Sequence, residues 1–196
     1  MISPPSTSSP VKARFPNAVG LAVARELCGA LNPACERLIV AGSLRRRKPA
    51  IGDVEILYLS KTGFGKDPAD LFAAIQISLA DQAIAALERS GVLERRKNAN
   101  GSEIFGSKNK LMRHVATGLP VDLFAATEAN WFNYLVCRTG PAESNIRIAA
   151  AAKAMGWHWN PYGAGFTKYA QLAPMRSEQA VFEFVGLPFK APADRT

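Results

Sequence analysis

Three acidic side chains stand out for the chemistry their spacing allows. Asp53 and Glu55 lie two apart in the run Ile51-Gly52-Asp53-Val54-Glu55-Ile56-Leu57-Tyr58-Leu59, which alternates as a β-strand. A strand sends alternate side chains to one face, so the two carboxylates are expected to project together, about 7 Å apart. Asp122 sits in a second strand-like run, Pro120-Val121-Asp122-Leu123-Phe124. A carboxylate between Val and Leu on a buried strand is costly unless it is paired or metal-bound. With these two strands adjacent, three carboxylates converge. That arrangement suits two divalent cations about 3.5–4 Å apart for in-line phosphoryl transfer. The plainer alternative is that Asp53 and Glu55 form the polar side of a half-exposed strand.

The flanking residues favour the chemical reading. Upstream lies Gly42-Ser43-Leu44-Arg45-Arg46-Arg47-Lys48, a small-residue break followed by a basic cluster. Glycine lets a backbone approach closely, serine supplies a hydroxyl, and a helix N-terminus presents unpaired N–H groups. Arginine adds a fork that matches phosphate oxygens. Gly52, directly before Asp53, leaves room for a triphosphate beside the strand. Other patterns are weaker. Gly63-Phe64-Gly65-Lys66 and the stretch from Gly101 to Lys108 echo a phosphate loop without completing GxxxxGK[ST], and both read as turns. His114 and His158 are isolated. Trp157 and Trp159 could stack on a base, but packing is the simpler reading.

The elements that must position these groups follow from periodicity. Residues 1 to 13 are Ser/Pro-rich and read as a disordered tail. A helix opens at Pro16-Asn17 and stops at Asn32-Pro33, with Val19, Ala22, Val23, Leu27, Ala30 and Leu31 as its apolar side. Leu38–Ala41 reads as a buried strand, and 51–59 as another. Asp67-Pro68 is expected to start a helix running to about Glu88, with Leu71, Ile75, Leu79, Ile84 and Leu87 as its stripe. Strand-like pieces follow near 92–97, 102–115 and 119–125. From Glu128 two helices are expected, split at Gly140-Pro141, then a strand pair around Trp157 and Phe166 and a helix over 178–185. The expected fold class is α+β: a mixed β-sheet flanked by helices, plus a small C-terminal α/β subdomain.

Bulk properties are compatible with this. The chain has 196 residues, 48% hydrophobic and 20% charged, as in ordinary globular proteins. Lys and Arg number 24 against 16 Asp and Glu, a net charge of +8 that suits a polyanionic partner. Residues 1–50 hold eight basic and two acidic residues. Cys28, Cys35 and Cys137, odd in number and without CxxC spacing, give neither a zinc site nor a disulfide framework, and read as reduced thiols. No apolar run approaches a membrane span and no signal peptide is visible, so a cytoplasmic or nucleoid-associated, non-secreted protein is expected.

Taken in order, Gly42-Ser43-Leu44-Arg45-Arg46 and Gly52-Asp53-Val54-Glu55-Ile56-Leu57 resemble the signature of DNA polymerase X (polymerase beta-like) nucleotidyltransferases. Arg14-Phe15-Pro16, Thr139-Gly140 with Asn145, and Gly186-Leu187-Pro188-Phe189 through Arg195 resemble further family segments. The resemblance spans about residues 12–195. It implies a nucleotidyltransferase palm over 14–140 and a thumb-like, nucleotide-selecting subdomain over 141–196, a minimal form to which the family's lyase activity is not carried over.

By the same resemblance, Asp53, Glu55 and Asp122 are the catalytic residues and the ligands of two Mg²⁺ ions, with Mn²⁺ as a possible substitute. Arg14, Gly42, Ser43, Arg46, Gly52, Thr139, Gly140 and Asn145 would bind the nucleotide. The implied partners are a nucleoside triphosphate and primer-template or gapped DNA, with no membrane, acting as a monomer in repair or gap filling. Two other readings stay open: a template-independent nucleotidyltransferase, and a catalytically silent nucleic-acid-binding module. The chain departs from the family pattern at Glu55, where Asp is usual, at Cys137-Arg138, where Tyr-Phe is usual, and at Pro120, where a basic residue is usual. The family's Thr-Gly turn also implies a cis bond at Gly140-Pro141, which proline accommodates cheaply.

Overall fold

A computed structural model of the chain describes residues 13–66 and 74–195. Most of the tail expected at 1–13, and the helix start expected at Asp67-Pro68, lie outside the described residues. The short strand β1 (Phe15–Pro16) leads into α1 (Asn17–Leu31), which buries Val23, Ala24, Leu27 and Leu31. Asn32-Pro33 ends that helix in a single 3-10 turn. Next come β2 (Cys35–Val40), the one-turn helix α2 (Gly42–Arg45), β3 (Ala50–Ile51) and β4 (Val54–Ser60).

The run 51–59 is therefore not one strand. Ile51 belongs to β3, which pairs antiparallel with β1, and Gly52-Asp53 breaks the ladder before β4 begins. Asp53 thus precedes the strand that carries Glu55.

A hairpin of β5 (Thr62–Lys66) and β6 (Ala74–Ser78) follows, then α3 (Leu79–Arg89). This corrects two expectations. Residues 63–66 form a strand and not a turn, and the helix begins at Leu79, so Ile75 lies in a strand. The reasons are local. Ala74-Ile75-Gln76-Ile77-Ser78 alternates with β-branched residues, which favour a pleated strand. Ser78 then caps the helix by accepting from the Asp81 N–H at 3.1 Å. A Cβ on Gly63 would lie 2.6 Å from Leu79 Cδ2, so glycine fits there because the hairpin folds tightly onto the helix start.

With β7 (Leu93–Arg95), β8 (Asn109–His114) and β9 (Pro120–Ala125), the main sheet has five strands in the order β2-β4-β9-β8-β7. Only β4 and β9 are parallel; the other neighbours are antiparallel. Only 109–114 of the strand expected at 102–115 forms. Residues before it are held by isolated bridges, Lys97 to Glu103 and Phe105 to Lys110, around an Asn98 turn.

α4 (Trp131–Thr139) and α5 (Ala142–Ala154) flank Gly140-Pro141, and that bond is cis. Beyond them β10 (His158–Trp159), β11 (Gly165–Lys168) and β12 (Gln171–Pro174) make a three-stranded sheet, one strand more than expected. α6 (Glu178–Phe184) and a 3-10 turn (Pro192–Asp194) close the chain.

The two faces of the main sheet read directly from strand periodicity. Val54, Ile56, Tyr58, Val121 and Leu123 pack with α1 and α3 in the largest core. Leu57 and Phe124 face the other way, onto Trp131, Tyr134 and Leu135 of α4. Glu55 and Asp122 are on this second face, one pair before Leu57 and Phe124. The C-terminal core is built from Val136, Ile148, Trp159, Phe166, Val181 and Phe182, so α4 serves both sides. No helix among the described residues is long and apolar enough to cross a membrane.

Candidate active site

Glu55 and Asp122 are direct register partners on the parallel strands β4 and β9. Parallel pairing puts both residues at the same level and on the same face, which brings together carboxylates that are 67 positions apart in the chain. The Ala41 N–H donates to the Glu55 carbonyl at 2.8 Å, fixing the end of β2 beside the same point. The chain then turns through Gly42 at φ +60°, and a Cβ built there would lie 1.9 Å from Glu55 Oε2. Glycine is therefore required twice, for the left-handed backbone and for the carboxylate lying against it.

Arg14, Ser43, Arg46, Gly52, Asp53 and Glu55 line one cavity of about 240 Å³. Four separate pieces of chain contribute to it: the start of β1, α2, the β3–β4 break and β4. Two polar atoms beside it are buried without a protein partner, Ser43 Oγ and Arg46 Nε. Buried donors are normally satisfied, and these two have donor capacity that no protein group takes up. Burial, then Asp53, raises the Glu55 carboxyl to a pKa of about 8; Arg138 and Arg46 pull it down and Asp122 pushes it up. Burial lowers the Arg46 pKa, with Glu55, Glu143 and Asp53 opposing.

The donor set, oxygen-only and crowded with like charge, suits a hard divalent cation. The carboxylates are not closed around a common point, however. Among the described residues no three His, Cys, Asp or Glu side chains are gathered as a ready metal cage. Asp122 instead forms an ion pair with Arg96, whose Nε also donates to the Met112 carbonyl at 3.1 Å. Arg96 stands just past β7, at the far side of the sheet. It supplies the positive neighbour that Pro120 cannot.

The remaining predicted residues do not line the cavity, and Thr139 and Gly140 reach it through Arg46. The Thr139 carbonyl accepts from Arg46, and its hydroxyl from Arg45 at 2.6 Å. Gly140, at φ +60°, leaves space for Arg46 Nη1, which a Cβ would approach to 3.1 Å. Asn145 donates to the Cys137 carbonyl at 2.9 Å, and its buried Oδ1 has no partner.

Sequence reasoning missed several neighbours. Arg45 makes a two-pronged pair with Glu178 of α6, at 2.5 and 2.9 Å, and Arg195 joins the same carboxylate at 3.0 Å. Arg138 lies 3.7 Å above the Phe124 ring, with Tyr134 and Tyr162 beside it. The only signal for Arg138 was its place before Thr139-Gly140; nothing local pointed to Glu178 or Arg96.

This geometry can be set beside known proteins. Residues 134–196 match the family model described as DNA polymerase beta thumb. Among solved structures, the crystal structure of Leishmania infantum polymerase beta, a ternary P/T complex, is 18% identical, covers 95% of this chain and 78% of that one, and superposes with a TM-score of 0.70. No curated protein matches the sequence. The fold is thus of the polymerase beta class, a mixed sheet flanked by helices. More narrowly, the C-terminal third is similar to the polymerase beta thumb, and the chain as a whole shares the polymerase beta fold.

Proposed function

We propose that this chain is a metal-dependent nucleotidyltransferase of the X-family polymerase type, adding nucleotides to a primer 3′-hydroxyl in gap filling. The observation that carries the reading is the cavity where Arg14, Ser43, Arg46 and Gly52 meet Asp53 and Glu55, with Asp122 in register beside Glu55. A cationic, hydroxyl-bearing wall facing a carboxylate wall is what a triphosphate and its counter-cations need.

Arg14 and Arg46 would bind triphosphate oxygens, and the Ser43 hydroxyl would donate to one. Gly42 and Gly52 keep the backbone close without a side chain in the way. Asp53 and Glu55 would hold the cations, with Asp122 joining them on exchanging Arg96 for the metal. Bound Mg²⁺ would neutralise phosphate charge and make the primer hydroxyl more acidic. The 3′-oxygen would form a bond to the α-phosphorus while the bond to pyrophosphate breaks, and Asp122 would take the hydroxyl proton. The DNA partner is supported by the +8 charge and by the P/T complex of the Leishmania polymerase.

The test is extension of a labelled primer on gapped and on unpaired DNA, with each dNTP and rNTP and with Mg²⁺ or Mn²⁺. Asp122→Ala should abolish transfer while the fold stays intact by circular dichroism, since several kcal/mol of transition-state stabilisation depend on that group. More than a tenth of the wild-type rate remaining would remove Asp122 from the mechanism. Equal extension of unpaired and gapped DNA would favour the template-independent reading.

A further inference from the structure

A second cavity, flanked by cations, shares no residue with the candidate active site. It occupies about 670 Å³ between the end of α5 and the β10–β11 pair, a volume within the usual range of about 300–1,000 Å³ for ligand sites. Lys153, Trp157, His158, Lys168 and Tyr169 line it, and no acidic residue does.

The two tryptophans beside His158 divide their roles. Trp159 is buried and donates through Nε1 to Asn133 Oδ1 at 2.6 Å, so it is a core residue. Trp157 is half-exposed. Its ring meets Phe184 edge-on at 5.1 Å, and Lys168 Nζ stands 6.0 Å from the ring centre. Gly156, at φ +74°, carries no side chain to fill the space by Lys168, where a Cβ would sit 3.4 Å from Nζ.

Tyr169 is the second feature that packing does not explain. It is 96% exposed, at the turn between β11 and β12, with φ +52°. A bulky residue in the left-handed region is disfavoured, and Tyr169 gains almost no burial in return. Asn or Gly would suit this turn better on folding grounds alone. Its ring is therefore open to whatever occupies the cavity it lines.

We propose that this cavity is a second nucleic-acid site, holding an unpaired stretch of DNA with bases on Trp157 and Tyr169 and phosphates on Lys153 and Lys168. The occupant follows from the lining. Two lysines without an acid select an anion, and accessible aromatic faces select flat rings. In a duplex the base faces are stacked on one another, so an aromatic platform takes unpaired bases. Sequence preference should be slight, because every base presents a π-face. The site is independent of the transfer reaction, and a chain without transfer activity would still show it.

Binding of fluorescein-labelled oligo(dT), followed by anisotropy and by quenching of tryptophan emission that is lost in Trp157→Phe, tests this. Tyr169→Ala should weaken binding roughly five- to a hundredfold, the range for one stacked base. Lys153→Glu with Lys168→Glu should weaken it further and reduce the log–log salt slope by about 1.4, at 0.7 per phosphate. Filling of a one-nucleotide gap, where no unpaired stretch lies beyond the templating base, should be unchanged in all of these. Tyr169 is on the surface, so its variant keeps the fold. Wild-type chain that does not bind oligo(dT), or variants that bind it like wild type, would overturn the proposal. So would equal competition by polyglutamate with no effect of Tyr169→Ala, which would reduce the site to a general anion patch.

Discussion

Gly42→Ala separates a backbone cost from a displaced catalytic group. Gly42 has φ +60°, and an added Cβ would meet Glu55 Oε2 at 1.9 Å. Gly91 has φ +76° with nothing within 4 Å of the same position. Both alanines should therefore lose about 1–2 kcal/mol to the left-handed backbone. Only Gly42→Ala must also push the Glu55 carboxylate back by more than 1 Å to reach ordinary contact. Holding a side chain off its rotamer costs about 0.5–1.5 kcal/mol more. The functional loss should be larger than the stability loss, since a misplacement of about 1 Å in a catalytic group can cost roughly a hundredfold in rate. Urea unfolding and primer extension on both variants give the comparison. Gly91→Ala should be destabilised and fully active; Gly42→Ala should be somewhat less stable and about a hundredfold slower. Adding Glu55→Ala to Gly42→Ala should recover the extra stability cost, because the clash goes with the carboxylate. Equal stability of the two single variants, together with full activity of Gly42→Ala, would refute the claim that Glu55 lies against this glycine.

Three further outcomes are expected. Glu55 has a folded pKa of about 8 against an ordinary 4.5, so the folded chain holds a proton that the unfolded chain has lost; metal-free stability should fall as pH rises through that window, and the Glu55→Gln profile should be flatter by up to a few kcal/mol. A wild-type profile parallel to that of Glu55→Gln would contradict it. Arg45→Ala should cost about 3 kcal/mol in urea unfolding, because it leaves the half-buried Glu178 carboxylate short of a partner, and a double-mutant cycle with Glu178→Ala should show coupling above about 0.5 kcal/mol. DNA binding should weaken steeply with salt, with a log–log slope of roughly −4 to −5 for about four to six phosphate contacts, and a slope near zero would exclude a nucleic-acid partner.

What the sequence made legible was local. Gly42-Ser43, Gly52-Asp53 and Glu55 stand within a span of 14 residues, and six of the residues singled out share one cavity because the chain only has to turn back once between β2 and β4 to bring them together. Helices with clear stops, such as α1 at Asn32-Pro33, were equally readable. The partner of Asp122 was not. Arg96 reaches it only because β7, β8 and β9 lie in that order in the sheet, and nothing in the run Glu94-Arg95-Arg96-Lys97 distinguishes one cation from the next. The β5–β6 hairpin was hidden for a different reason. Its first strand contains two glycines, poor strand formers in isolation, whose use is to let Leu79 and Ile77 pack closely.

The one-turn helix α2 ties these observations together. Arg45 at its end and Arg46 just beyond it diverge. Arg46 enters the cavity and also holds the Thr139 carbonyl, while Arg45 holds the Thr139 hydroxyl and reaches across to Glu178 in α6. Thr139 is fully buried and ends α4, the helix whose Leu135 packs against the main sheet and whose Val136 packs in the C-terminal core. A shift of the C-terminal third on the sheet would thus disturb the contacts of both arginines, at Thr139 and at Glu178, and one of the two lines the cavity. The start of the same helix is Gly42, against which Glu55 rests. The five residues from Gly42 to Arg46 thus connect the carboxylate wall, the cationic wall and the C-terminal third. This physical route lets the position of the C-terminal third bear on the geometry of the cavity without contributing a lining residue to it.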